Sequence, residues 1–393
     1  MFVFLAGLVI GMSGCAPKPE PPVTAETSLR KLAASRYPGF QDTGDREDFK
    51  RAIRQSLLYL SRVPGNRSFR FDGDTVNTLH VQRSLETLLA FLETGPSNSD
   101  LDRFVRDRYD VYEAVGAGEN HEVMFTGYYE PTVYGSLTPD DEYRYPLLSQ
   151  PRDLLTLDLS RFSDKFAGEA TIMARVNEKN EVVPYYSRKE INAHTSFQAD
   201  PLVWLNDRTD RFFLEIQGSG QVILKQGGSM RVHYHTKNGH PYRSIGRYLI
   251  DAGEIPKEEM SMQAIRRWLD NNPERAEEVF NTNPSYVFFK IEQGGPYGSL
   301  GVEITPMRSI ATDRTLFPRA CLCFIETQVP VRQDLKEPDS WEHFSGFVMN
   351  QDTGGAIRGA GRADLFYGND AYAEFGAGHM NHAGNMYFLI LKQ

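Results

Sequence analysis

Three aspartates lie in glycine-rich frames in the C-terminal third of the chain. They are Asp313 in Arg308-Ser309-Ile310-Ala311-Thr312-Asp313, Asp352 in Gln351-Asp352-Thr353-Gly354-Gly355-Ala356-Ile357, and Asp364 in Arg362-Ala363-Asp364-Leu365-Phe366-Tyr367-Gly368. Glycine allows backbone turns that other residues resist. Carboxyl groups held beside such turns can be pushed to different acidities, so that one gives a proton while another stays ionised. The chemistry this suggests is acid/base cleavage of a bond. The competing reading of Asp313 and Asp352 is turn capping, a normal use of Asp.

Other motifs carry less. Asp352-Thr353-Gly354 is the tripeptide of aspartic proteases, but it occurs once, follows Met349-Asn350-Gln351 rather than an apolar strand, and has no Thr-Gly partner at Asp364. His233-x-His235 and His379-x-x-His382 lack the spaced carboxylate that completes a zinc pattern. No phosphate-binding glycine loop is present.

The elements that position these residues follow from periodicity. Apolar residues at helical spacing predict helices over Arg46 to Val63, Asn77 to Leu92 and Leu101 to Tyr112. From His121 the texture becomes aromatic and β-branched, predicting strands at Val123 to Tyr129, Phe212 to Ile216, Gln221 to Leu224 and Met230 to His235. Helices return at Pro256 to Leu269 and Glu274 to Phe280. Strands follow at Tyr286 to Lys290, Cys321 to Glu326, Phe344 to Met349 and Met386 to Leu391. Cys321 and Cys323, two apart on a strand, suit a pair of packed thiols better than a disulfide.

The N-terminal residues 1–14 form an apolar stretch too short to span a bilayer, ending in small residues before Cys15. This is the pattern of a lipoprotein signal peptide, with acylation expected at Cys15. Ala16 after the cysteine resembles the outer-membrane sorting default of bacterial lipoproteins. A Pro-rich, polar tether is expected over 15–36. The expected location is therefore the periplasmic face of the outer membrane. The net charge of −9 argues against nucleic acid as a partner and leaves anchoring to the lipid.

Phe125-Thr126-Gly127-Tyr128-Tyr129-Glu130-Pro131, Glu215-Ile216-Gln217-Gly218-Ser219-Gly220, Asn238-Gly239-His240-Pro241-Tyr242-Arg243-Ser244-Ile245-Gly246, Asn283-Pro284-Ser285-Tyr286-Val287-Phe288-Phe289 and the three aspartate segments occur in that order. Together they resemble the membrane-bound lytic murein transglycosylase A family, over about Phe125 to Gly378. The resemblance implies a mainly β fold. A double-psi β-barrel domain (37–130 and 283–393, with N-terminal helices and the three-aspartate part at 299–378) is interrupted by an inserted second β-barrel domain (131–282), and glycan lies between them.

By the same resemblance Asp364 is the single catalytic acid/base of a peptidoglycan lytic exotransglycosylase that needs no metal or organic cofactor. The residues themselves leave cleavage from chain ends or within chains open. Asp364 would protonate the oxygen of the β-1,4 bond between N-acetylmuramic acid and N-acetylglucosamine, then take the proton of the muramyl 6-hydroxyl as a 1,6-anhydro ring closes. Such an acid needs a raised pKa, from partial burial or from Asp352 or Asp313 nearby. Thr126, Gly127 and Tyr128 would line the groove. Gln217 and Ser219 lie in a stretch that either approaches ligand or makes a plain turn, and Tyr242-Arg243-Ser244 reads as a packed corner. Two other functions fit the residues: a hydrolytic glycosidase using Asp352 as second carboxylate, and a non-catalytic peptidoglycan-binding lipoprotein.

Overall fold

In a computed structural model the protein is described over residues 23–117, 121–166, 171–193, 198–331, 338–355 and 357–393. Cys15, the signal segment and the first part of the tether lie outside them. The fold is mainly β. Six strands close into a barrel in the order Asn381–Leu391, Leu322–Val331, Ser340–Asp352, Ser309–Thr312, Arg362–Phe366 and Val123–Tyr128, the last pairing back onto the first. Two neighbouring pairs are parallel, Ser309–Thr312 with Ser340–Asp352 and Arg362–Phe366 with Val123–Tyr128. Tyr109–Ala114 and Leu29–Lys31 extend the sheet beyond the barrel.

The strand Ser340–Asp352 is buried without a break from Phe344 to Gln351, because both its faces are covered. One fills the barrel; the other meets the helix Arg46–Leu60, whose Phe49, Ala52, Ile53, Ser56 and Leu60 are buried. Phe49 stacks on Phe347 at 5.5 Å between ring centroids. The helix starts where Asp45 accepts a hydrogen bond from the Asp48 N–H. Thr78–Leu92 is capped in the same way by Asn77 and Asn98–Arg108 by Ser97. Among the described residues no helix is long and apolar enough to cross a membrane.

The inserted region carries a six-stranded sheet in the order Val287–Ile291, Ser229–Lys237, Ser219–Leu224, Thr132–Ser136, Pro201–Leu205 and Tyr145–Leu148. Helices Met262–Asn271 and Ala276–Asn281 pack their buried Trp268, Leu269, Val279 and Phe280 into a cluster with Phe212, Phe213 and Leu249.

Four expectations need correction. Phe212 to Ile216 is not a strand but part of the helix Arg208–Gln217, started by an Asp207 cap on the Asp210 N–H and ended by Gly218 at φ 82°. Its contiguous Phe212, Phe213 and Leu214 are all buried, so the aromatic and β-branched texture misled. The third helix stops at Arg108, and Tyr109–Ala114 leaves it as a strand. The tether ends sooner than residue 36, since Leu29–Lys31 pairs with Lys31 opposite Tyr112, and Leu29 and Leu32 are buried. The inserted sheet runs past residue 282 to Ile291. Asn238 and Arg188 of the insert hold the Pro284 and Ser285 carbonyls, which carries the chain into the Val287–Ile291 strand. Cys321 and Cys323 are free and buried, as two packed thiols.

Candidate active site

Backbone pairing assembles the site. The short strand Ser309–Thr312 pairs on one side with Ser340–Asp352, placing Ala311 opposite Asp352, and on the other with Arg362–Phe366, placing Ala311 opposite Asp364. Asp364 is in turn registered with Thr126. Residues opposite one another on neighbouring strands face the same way, so Asp352, Ala311, Asp364 and Thr126 form one row across four strands. The register slips between Ile310 and Ala311, where the partner strand carries one extra residue, Gln351. Such a bulge re-aims the side chains beside it. Gln351 turns away, donating to the Ala52 carbonyl and accepting from the Ser309 hydroxyl at 2.6 Å.

Asp364 has a side chain 15% exposed. Its Oδ1 accepts a short hydrogen bond from the Thr126 hydroxyl and another from Arg362 Nε at 3.3 Å. Arg362 Nη2 donates to Thr126 Oγ1 at 2.9 Å. Burial pushes the Asp364 carboxyl above the usual range, against the opposing pull of Arg362 and the Thr126 hydroxyl.

Asp352 is also raised by burial, although its oxygens are well served. Oδ1 accepts from the Ser299 and Thr353 N–H groups, each at 2.8 Å, and Oδ2 from the Tyr128 hydroxyl at 3.1 Å. Tyr128, its ring 5.1 Å from that of Phe366, is held well above its ordinary pKa by burial and then by the charges of Asp352 and Asp364. Its hydroxyl therefore bonds Asp352 and feels the charge of Asp364.

The remaining expected residues divide. Asp313 ties loops together: it accepts from the Thr315 hydroxyl at 2.7 Å, the Thr315 N–H at 3.0 Å and the Gly359 N–H at 2.9 Å. Burial alone would raise its carboxyl, but these donors, with Arg358, bring it below the usual range. Neither Asp313 nor Asp352 is the cause of the raised Asp364, which burial accounts for. Gly127 has a packing reason: a Cβ there would lie 2.5 Å from Ala377 Cα and 2.9 Å from the Tyr367 ring, in the seat of the helix Ala371–His379. Gln217 spends its Oε1 on the Tyr129 N–H at 3.3 Å, and Ser219 begins a strand opposite His233. Among the described residues no side-chain hydrogen bond joins either to Asp364 or Asp352.

Two groups escaped the sequence reading. Arg362 lies two residues before Asp364 on one strand, hence on the same face, and a period of two through that segment would have found it. Tyr242, read as a packed corner of the insert, lies within electrostatic reach of Arg362 and Asp364 and is raised chiefly by burial. Nothing local to its segment signals that proximity.

The closed barrel with two buried, raised carboxyls beside an inserted sheet is placed by comparison with known proteins. Residues 124–290 match the MltA specific insert domain and residues 308–390 the 3D domain. Membrane-bound lytic murein transglycosylase A of Escherichia coli strain K12 is 32% identical over 283 residues, covering 71% of this chain and 69% of that protein. The Vibrio cholerae protein of the same name is 30% identical over 283 residues, covering 70% and 68%. Among solved structures, a membrane-bound lytic murein transglycosylase from Agrobacterium tumefaciens superposes with a TM-score of 0.75 at 26% identity, covering 93% of this chain and 98% of that one. E. coli MltA with bound chitohexaose gives 0.69 at 26% identity, covering 94% and 96%. The chain belongs to the membrane-bound lytic murein transglycosylase A family.

Proposed function

We propose that this chain is a lytic transglycosylase of peptidoglycan turnover with Asp364 as its single acid and base. The β-1,4 bond between N-acetylmuramic acid and N-acetylglucosamine breaks as the Asp364 proton passes to the leaving oxygen. The carboxylate then accepts the proton of the muramyl 6-hydroxyl as that oxygen closes a 1,6-anhydro ring. No water is consumed, and the nucleophile is already part of the substrate, which removes most of the entropy cost of recruiting one. The observation that carries this is the contrast between the two carboxyls. Both are raised by burial, but Asp352 has hydrogen bonds on both oxygens from Ser299, Thr353 and Tyr128, whereas Asp364 is held through Oδ1. A hydrolase would use the second carboxylate on water, and Asp352 is committed to protein donors instead.

Thr126 orients the acid, Tyr128 holds Asp352, and the bound chitohexaose of the E. coli relative supports a glycan strand as the ligand. The two parallel strand pairs of the barrel support the double-psi reading. Relatives named membrane-bound support anchoring by acylated Cys15 at the periplasmic face of the outer membrane.

Mass spectrometry of sugars released from purified peptidoglycan tests the reaction. Ends of 1,6-anhydromuramic acid are expected. Reducing ends would move Asp352 into the mechanism, and an absence of products would make this a binding protein. Asp364→Asn is expected to abolish release while melting like a folded protein.

A further inference from the structure

We propose that Arg362 is a positioning residue of this reaction, its guanidinium holding Thr126 and Oδ1 of Asp364 together so that the carboxyl meets the glycan through Oδ2. The inference rests on Asp364 being the acid. Three contacts close a small ring: Arg362 Nε to Asp364 Oδ1 at 3.3 Å, Arg362 Nη2 to Thr126 Oγ1 at 2.9 Å, and the Thr126 hydroxyl to the same Oδ1. A hydroxyl has one proton, and Thr126 spends it on Asp364. Among the described residues it accepts only from Arg362, which fixes the direction of that bond because guanidinium has no acceptor. Oδ1 therefore faces two donors. Among the described residues Oδ2 makes no hydrogen bond, and it is not a sealed, unpartnered atom either. The exchangeable proton belongs on Oδ2.

The arrangement suits a carboxyl that must act twice. In the first half the Oδ2–H bond breaks, its proton goes to the glycosidic oxygen, and the electron pair of the breaking bond leaves with the N-acetylglucosamine. In the second, the 6-hydroxyl proton returns to Oδ2 as its oxygen bonds the anomeric carbon. Arg362 neither gains nor loses a proton. Burial favours the neutral acid that the first half requires; the guanidinium favours the carboxylate that the second requires. Among the described residues the charged or titratable groups facing Asp364 are Arg362 on its own strand, Tyr128 on the Val123–Tyr128 strand, Asp352 across Ala311, and Tyr242 from the insert. Arg362 is the cation among them.

The test is the pH dependence of kcat and kcat/KM for anhydro-product release by wild type, Arg362→Gln, Arg362→Lys and Asp364→Asn, with melting curves for each. Loss of the cation raises the pKa of the acid, so the alkaline limb of Arg362→Gln is expected to move to higher pH, with kcat lower by roughly 10- to 100-fold, a fraction of what an acid catalyst itself contributes. Arg362→Lys keeps the charge without the fork; its limb is expected near that of wild type with kcat only partly recovered. If Arg362→Gln melts as unfolded, the lysine variant carries the test. A folded Arg362→Lys with wild-type kcat, or a folded Arg362→Gln with wild-type kcat and alkaline limb, overturns the proposal while an inactive Asp364→Asn leaves the acid assignment standing. An active Asp364→Asn overturns that assignment instead.

Discussion

Asp352 and Asp364 flank the same residue, Ala311, from strands on opposite sides of it. Both are raised by burial, yet one is bound by three donors across its two oxygens while the other is tethered through one oxygen. That asymmetry supports the unlike roles proposed for chemically identical side chains.

Burial of these carboxyls should appear in the pH dependence of stability. A carboxyl whose folded pKa exceeds its unfolded value of about 4 adds stability that is fully present below pH ~4 and lost as pH rises through the folded value. Relative to wild type, Asp364→Asn should therefore gain stability progressively from about pH 4 upward and then level off. Asp313 has the opposite sign, because its carboxyl is depressed: its contribution is present above pH ~4 and lost on acidification. Melting curves between pH 3 and 8 check both, and a pH-independent gap for Asp364→Asn would contradict the first.

Tyr128→Phe removes the donor to Asp352 Oδ2 while leaving the ring against Phe366. A stability loss of about 1–2 kcal/mol is expected, since a buried acceptor loses a partner. In the proposed reaction Asp352 supports the site without reacting, so kcat should fall by no more than about tenfold, some 1.4 kcal/mol. A loss as complete as that of Asp364→Asn would make Tyr128 part of the proton path.

Arg308 and Asp42, 266 residues apart, form a fully buried ion pair at 2.7 Å, with Arg308 also donating to the Phe347 and Asp45 carbonyls. This fastens the N-terminal segment to the barrel. Asp42→Ala leaves the guanidinium buried without its counter-charge and should cost about 3–5 kcal/mol. Denaturant titration measures it, and a change below 1 kcal/mol would mean that solvent reaches the pair.

Cys15→Ala should move the protein from the membrane to the soluble fraction of cells without altering activity on isolated peptidoglycan, since the thiol is the only acylation site expected. Fractionation with an antibody against the folded part decides it; an unchanged membrane share would remove the lipid-anchor reading.

Much of this was legible in the chain because it is local. Asp45, Asn77 and Ser97 announce the starts of their helices through side chains that reach only three residues ahead. The ordered motifs pointed to the family, and the frame around Asp364 to the residue proposed as the acid. Locality also explains the errors: the aromatic and β-branched run Phe212 to Ile216 is compatible with a strand until Asp207 and Gly218 are weighed as caps.

What only the tertiary structure decided is which side chains share a face. Strand pairing joins Thr126 to Asp364 across 238 residues, and a one-residue bulge at Gln351 turns Asp352 towards the site. Because side chains alternate with a period of two, register alone determines whether a carboxyl meets a donor or the opposite face. Tertiary packing kept Asp313 for its loops, spent Gln217 on Tyr129, and brought Tyr242 within electrostatic reach of Asp364. The sequence by itself determined the elements and the chemical types available; non-local pairing, with the burial it imposes, determined how each carboxyl is desolvated and bonded, because desolvation depends on neighbours that the chain order does not reveal.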